Sequence, residues 1–476
     1  MTATPNNPSL DAAVGLPTDD APVQSHRAEG AGLKKKALNA GKWTSLSFFF
    51  DQGLSFLSNI VLVYLALDKA DFGIMVLVAA VNTGLQQFSD VGITPCLIQN
   101  KREDEAFYNT AWTMQVIRGV FLWLIACVIA YPMSQIKPDW APLAWVLPVA
   151  CFTAVLQGFR STAFVTVNRR LNIKSIALIK VVASVVRILA MLGIAVVSPS
   201  YWALVGGLLA GSLTTCVLSH RILPEIKNRF RFEREAFGTL IRYGRWLFLS
   251  TVIGYFAGQI DKLMLGGLIS VSALGVFWIG SRFAEIGPMF FKKIGAWVGF
   301  PALTDVYRRD PERFKHVLLK MRMALTLPIN GVLLLMIATG PLMCYLFYGP
   351  SPTPAFIEAG WIIQVLCFNS LAGMTTTSYG HVFMATGRTK FNMLSVLAQL
   401  IAMLAATLTG YYLAGETGFL LGIGVSQWLK YVSDAAMAKT CGCWQWKFDA
   451  VVLVGCGLLA WAAVWFSNLL AWSFVL

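Results

Sequence analysis

Arg118, Arg187 and Arg282, together with Lys180, stand inside stretches of chain that are otherwise apolar. A cation in hydrocarbon is costly, so each of these positions marks a functional site by default. A guanidinium bonds two phosphate oxygens at once, and a diphosphate suits several such groups gathered at one depth. With ~1.5 Å of rise per residue, Arg118 lies about 15 Å into its stretch, Arg282 about 15 Å into its own from the opposite side, and Arg187 about 20 Å in. Lys180, Ser184 and Arg187 share one helical face. Arg118, Arg187 and Arg282 are therefore expected to line a central cationic cavity. An ion pair with Glu285, one turn on, competes with that reading for Arg282. For Lys180 the competing reading is a side chain that reaches back to the interface. Lys292, Lys293 and Lys430 fall near the ends of their stretches and are expected as interfacial anchors.

Polar stripes accompany the cations. Ser47, Asp51, Ser55 and Asn59 recur at every fourth residue, as do Asn82, Gln86 and Asp90. Such groups either bond sugar hydroxyls and hold a coupling H+ or Na+ in a wet cavity, or they join helix to helix. Asp261 and Glu285 are further carboxylates at usable depth. Asn369, Gly373, Thr377 and His381 form a comparable stripe, with His381 near the inner end. Gly254-x-x-x-Gly258 and Gly418-x-x-x-Gly422 fit close helix packing.

The elements that carry these residues must cross a membrane. A hydrocarbon core of about 30 Å needs roughly 20 apolar residues as helix. Thirteen stretches qualify, near 44–67, 72–98, 108–131, 140–160, 174–197, 200–221, 243–268, 272–300, 317–339, 356–385, 391–413, 417–437 and 450–474. With 57% hydrophobic and 13% charged residues and a mean hydropathy of +0.63, a soluble fold is excluded and an all-α polytopic membrane protein is expected. Most Lys and Arg fall on every second loop, while the opposite loops carry only Lys69 and Lys137. The positive-inside rule then places the amino terminus in the cytoplasm, and an odd span count places the carboxyl terminus outside.

The net charge of +14 is dispersed over loops that face anionic lipid, which argues against nucleic acid as a partner. Residues 1–42 are expected as a disordered cytoplasmic tail, with no signal peptide. The cysteines mostly fall inside spans, and Cys441-x-Cys443 lacks the second ligand pair of a zinc site. Loops at 222–242 and 301–316 read as basic connectors, and 340–355 as the longest loop on the opposite side. The sequence offers no soluble catalytic domain.

The chain also repeats itself. Tyr64-Leu65 and Phe72-Gly73 bracket a short turn between the first two spans, and Leu265-Gly266 and Leu274-Gly275 do the same in the second half. The basic inner loops follow in phase, so the repeat is parallel, and the transport pathway lies between two lobes. The expected division is a tail (1–42), two six-helix lobes (43–232 and 233–437) and a loop with one final helix (438–476).

Tyr64-Leu65-x6-Phe72-Gly73, Ser89-Asp90-Val91-Gly92-Ile93 and Leu97-Ile98-Gln99 resemble the first helix pair of bacterial oligosaccharide flippases. These form the polysaccharide transporter branch of the multidrug/oligosaccharidyl-lipid/polysaccharide superfamily. Asp261-Lys262-Leu263-Met264-Leu265-Gly266 with Leu274-Gly275-Val276-Phe277 is similar to that family's second-lobe pattern. Such proteins usually have twelve or fourteen helices, and this chain departs from that count. The resemblance implies a polyprenyl-diphosphate-linked oligosaccharide carried from the inner to the outer leaflet of a bacterial plasma membrane by alternating access. It implies no covalent chemistry and no cofactor. Membrane lipids, and the polymerase and co-polymerase of the same pathway, are the partners it implies. A multidrug exporter would want an acidic cavity for organic cations, which the deep cations oppose. A membrane polymerase would want a long external loop, and a glycosyltransferase an acidic cluster for metal and nucleotide. The sequence has neither.

Overall fold

A computed structural model of the chain describes residues 23–65, 67–88, 97, 104–169, 173–223, 228–238, 240, 262, 264–295, 299–349 and 356–475. No strand occurs among them. The first half contains α1 (Val23–Tyr64), α2 (Lys69–Phe88), α3 (Glu105–Ser134), α4 (Leu143–Gly158), the short α5 (Ala163–Arg169), α6 (Ile173–Val197) and α7 (Tyr201–Ile222). The second contains α8 (Val271–Ile294), α9 (Phe300–Arg309), α10 (Pro311–Tyr348), α11 (Ala359–Ala385), α12 (Thr389–Thr440) and α13 (Trp446–Val475). In lipid every backbone N–H and C=O must be satisfied within its own segment, and helices do this. Their starts are capped locally. Asp104, Ser270 and Asp310 each accept a bond of 3.2 Å from the N–H three residues on, opening α3, α8 and α10.

Helices α1, α3, α6, α7, α10, α12 and α13 are long and apolar enough to cross a membrane, so the protein is multi-pass. Helices α2, α8 and α11 have the length, but residues such as Asn82, Arg282 and Asn369 dilute their hydropathy. Within α12, Ala414 and Gly415 leave the helical region, with Gly415 at φ 59°. This element is thus two crossings folded back on each other. Gly418 and Gly422 lie directly against the backbone of Gly410 and Ala406, the close packing expected there. The span expected at 243–268 and the Gly254 motif lie mostly outside the described residues. Every other expected span overlaps a described helix, and residues 89–96 of the span expected at 72–98 lie outside the described residues.

Three expectations change. The first helix begins at Val23, although residues up to 42 were expected to be disordered. Helix formers in Leu33-Lys34-Lys35-Lys36-Ala37-Leu38 let the backbone continue. The connector at 301–316 is helical, and Leu303, Phe314 and Leu318 pack with Val382 and Cys443. The loop expected at 340–355 is helix as far as Tyr348. Pro341 reads as a turn signal, but Cys344 and Tyr348 are fully buried and their packing overrides it. In the loop at 222–242, the segment 228–233 is pinned along α3. Arg229 N donates to Asn109 Oδ1 (3.0 Å), Arg231 N to Thr113 Oγ1 (3.0 Å) and Glu233 N to Thr110 Oγ1 (3.1 Å).

Within the first half α1 packs on α6, α6 on α7, and α3 and α7 on α4; within the second, α11 packs on α8, α10 and α12, and α10 on α13. Among the described residues the halves meet chiefly where α2 crosses α8. There Gly73 lies against the carbonyl of Val271, and Gly275 against that of Lys69. The contact is reciprocal between repeat-related residues, each glycine meeting the residue four before the other. Beside it Phe72 stacks on Trp278 with ring centroids 5.3 Å apart. Lys69 Nζ pairs with Glu358 (3.2 Å), and Lys137 Nζ donates to the carbonyls of Gly266 (3.4 Å) and Ile269 (3.2 Å). The two lysines on the sparsely charged side therefore both bridge the halves.

Candidate functional site

Two adjoining cavities open between α1, α2, α6, α7 and α8. The inner one, of about 470 Å³, is lined by Ser47, Phe48 and Asp51 of α1, by Lys180, Ser184 and Arg187 of α6, and by Gln157, Arg160 and Lys293. The deeper one, of about 500 Å³, is lined by Asp51, Gln52, Ser55 and Asn59 of α1, Asn82 and Thr83 of α2, and Trp278, Arg282 and Glu285 of α8, with Arg187 again. The α1 stripe thus runs through both, spanning about 18 Å from Ser47 to Asn59 at ~1.5 Å per residue. The face shared by Lys180, Ser184 and Arg187 looks into the inner cavity, as their spacing requires.

Asp51 and Arg187 belong to both cavities and form the partition between them. Arg187 Nη2 lies 3.3 Å from Asp51 Oδ1 and donates to Ser55 Oγ at 2.7 Å. Ser184 Oγ donates to the same Asp51 oxygen. The pair is only partly buried, with side-chain exposures of 28% and 41%, so a ligand can reach it. On the inner side Lys180, Arg160 and Lys293 give an excess of positive charge. Lys293 Nζ sits 3.5 Å from the centre of the Phe48 ring, facing the cavity rather than a membrane interface as expected. Arg160 lines the same cavity. Both stand at span ends, where sequence alone does not separate a cavity wall from an interface.

On the deeper side Arg282 makes no ion pair with Glu285 among the described residues. Its guanidinium lies over the Trp278 ring, 5.1 Å from the centroid. Asn82 Oδ1 accepts from Gln86 Nε2 (3.0 Å) and its Nδ2 donates to Thr153 Oγ1 (3.4 Å), so this amide is held in a fixed orientation. Gln86 acts here as a support and is not among the lining residues. Arg118 lines neither cavity, against expectation. Its Nη2 donates to the carbonyl of Gln86 at 2.6 Å. Distance along a helix gives depth but not direction, and α3 packs outside, against α4 and α2. Asp90 and Asp261 lie outside the described residues.

A second charged cluster lies within the other half. Arg322 and Asp449 are fully buried, with Arg322 Nη2 2.5 Å from Asp449 Oδ1. Tyr379 and Tyr431 donate to the other carboxylate oxygen (2.6 and 3.1 Å), and Arg322 also donates to Tyr379 Oη (3.0 Å), Gln445 Oε1 (3.3 Å) and the Thr375 carbonyl (2.9 Å). These bonds tie α10, α11, α12 and α13 together. Sequence reasoning missed the cluster because Arg322 reads as one more basic residue at a span end. On the α11 stripe, Asn369 Oδ1 accepts from Gln427 N (3.0 Å) and Ser426 Oγ (3.3 Å), joining helix to helix. Asp434 accepts from Ser395 Oγ (2.6 Å) and lies 3.5 Å from Lys430. In the loop before α13, burial pushes the Cys443 thiol up, and its Sγ donates to the Cys441 carbonyl (3.4 Å). No group of three or more metal-ligating side chains gathers among the described residues.

Against known proteins, residues 65–354 match the family model described as polysaccharide biosynthesis protein, more than half of the chain. The lipopolysaccharide biosynthesis protein WzxC of Escherichia coli (strain K12) is 22% identical over 406 residues, covering 82% of this chain and 78% of that protein. The lipid II flippase MurJ in its inward closed conformation superposes with a TM-score of 0.67 at 10% identity, covering 88% of this chain and 91% of MurJ. An inward-facing multidrug resistance MATE family transporter of the MOP superfamily gives 0.61 at 14% identity, over 82% and 94%. At such identities the structural likeness establishes the fold, that of a polytopic helical membrane protein. The family model covers the crossing of α2 and α8 and the whole α6 face that carries Arg187, so the chain belongs to the polysaccharide biosynthesis protein family.

Proposed function

We propose that the protein is a flippase that carries a polyprenyl-diphosphate-linked oligosaccharide from the inner to the outer leaflet of a bacterial inner membrane, for surface polysaccharide assembly. The observation that carries this reading is the inner cavity, where Lys180, Arg160, Arg187 and Lys293 face one space against the single carboxylate of Asp51. In a low-dielectric setting such an excess calls for anions, and a diphosphate headgroup supplies them. Family membership and the transporter fold support the same reading. The orientation, with the amino terminus in the cytoplasm, follows from the loop charges. Lys69 and Lys137 then close the periplasmic end, and the cavities are reached from the cytoplasmic side. Coupling to H+ or Na+ would use Asp51 or Glu285, the carboxylates that line the cavities. The pathway's polymerase and co-polymerase would take the product over. An exporter of organic cations is disfavoured by the same positive excess.

Deletion of the gene tests the reading. Lipid-linked repeat units should accumulate on the inner leaflet, and surface polysaccharide should be lost. Normal surface glycan in a clean deletion, with no second copy of the function, would refute it.

A further inference from the structure

The two cavities differ in chemistry. The inner one is cationic. The deeper one adds only Arg282 to the shared Arg187, and Arg282 lies over the Trp278 ring. It also holds the carboxylate of Glu285, which repels a diphosphate, and it presents the amides of Gln52, Asn59 and Asn82. A sugar ring has apolar C–H faces and an edge of hydroxyls that both donate and accept. The aromatic wall of Trp278 and Phe72, ringed by amides, answers both, since each amide also donates and accepts. About 500 Å³ is within the range of ligand pockets, roughly 300–1,000 Å³. The covalent order of a lipid-linked glycan is lipid, diphosphate, sugar, so a diphosphate held at the inner cavity and partition leaves the sugar to reach deeper.

We propose that the deeper cavity is a separate carbohydrate subsite, in which the aromatic wall of Trp278 and Phe72 packs against an uncharged sugar ring and Gln52, Asn59 and Glu285 bond its hydroxyls, while Arg187 at the partition marks where diphosphate ends and glycan begins. This rests on the flippase reading above. Asn82, held between Gln86 and Thr153, sets one wall. Arg282 and Phe72 both lie against the Trp278 ring and fix it as part of the cavity wall. The inner cavity thus recognises what all such lipids share, and the deeper one recognises which glycan they carry.

The test uses the full-length protein in lipid nanodiscs and two probes, a bare polyprenyl diphosphate and the lipid-linked oligosaccharide extracted from host membranes. Wild type should bind the glycan-bearing lipid more tightly. Trp278→Ala and Asn59→Ala should each lose about tenfold in affinity for it, on the order of one or two hydrogen bonds or an aromatic contact, with bare-lipid binding unchanged. Trp278→Phe should keep part of the advantage. Lys180→Ala should weaken both probes together. Retained bare-lipid binding shows that a variant is folded. Equal weakening of both probes by Trp278→Ala and Asn59→Ala, no weakening of either, or no preference in wild type would overturn the subsite. Wild type that binds neither probe would overturn the flippase reading and the subsite with it.

Discussion

Because Asp51 neutralises Arg187 from a neighbouring helix, the guanidinium is held at the partition before any ligand arrives. Arg187→Lys keeps the charge but loses the fork that reaches Asp51 and Ser55 together, so it should retain part of the transport activity. Arg187→Ala leaves Asp51 unpaired and the partition open, and should lower activity by about tenfold or more. Complementation of surface glycan at matched expression measures both, and full activity of Arg187→Ala would remove this residue from the pathway. The Lys180–Ser184–Arg187 face and the Ser47–Asn59 stripe were legible in the sequence, because helical spacing alone puts such residues together. Their partners were not. Sequence shows ion pairs only within one or two turns, so it offered Glu285 for Arg282 and nothing for Arg187. The structure reverses this, since Arg187 is paired across helices and Arg282 lies on an aromatic ring. The direction of Arg118 was illegible for the same reason.

Among the elements, α13 is fastened by a charge it does not own. Asp449 sits in its first turn and holds Arg322 of α10 in a site closed to water. Breaking a fully buried pair by removing one partner costs about 3–5 kcal/mol. Asp449→Ala should therefore lower the unfolding midpoint in detergent markedly and reduce the folded yield. Replacing both partners with apolar residues, Arg322→Met with Asp449→Leu, should be milder than the single change. A single change without effect on the midpoint would show that the cluster adds nothing to stability. The helices themselves were legible, since length and apolarity are what the bilayer demands. Pro341 and the basic run at 301–316 misled, because local turn chemistry yields to packing once Tyr348, Cys344 and Phe314 find buried neighbours.

At the scale of the whole molecule, the two halves are latched at one end by exposed groups. The Lys69–Glu358 pair is accessible, and pairs of this kind contribute about 0.2–1 kcal/mol. That is small against the fold and large against a balanced equilibrium between open and closed forms. Lys69→Glu should raise the labelling rate of a cysteine placed at Phe72 about two- to fivefold, and adding Glu358→Lys should restore it. No change in labelling, or no restoration by the double variant, would show that the latch is passive. Beneath it, Gly73 rests on the carbonyl of Val271 and Gly275 on that of Lys69. Neither half can slide along the other here without driving backbone into backbone. Rocking leaves both contacts where they are. Under the proposed alternating access the crossing would serve as a fulcrum, and a side chain at either glycine as a wedge under the lever. Both halves would still insert and fold, tilted permanently to one side.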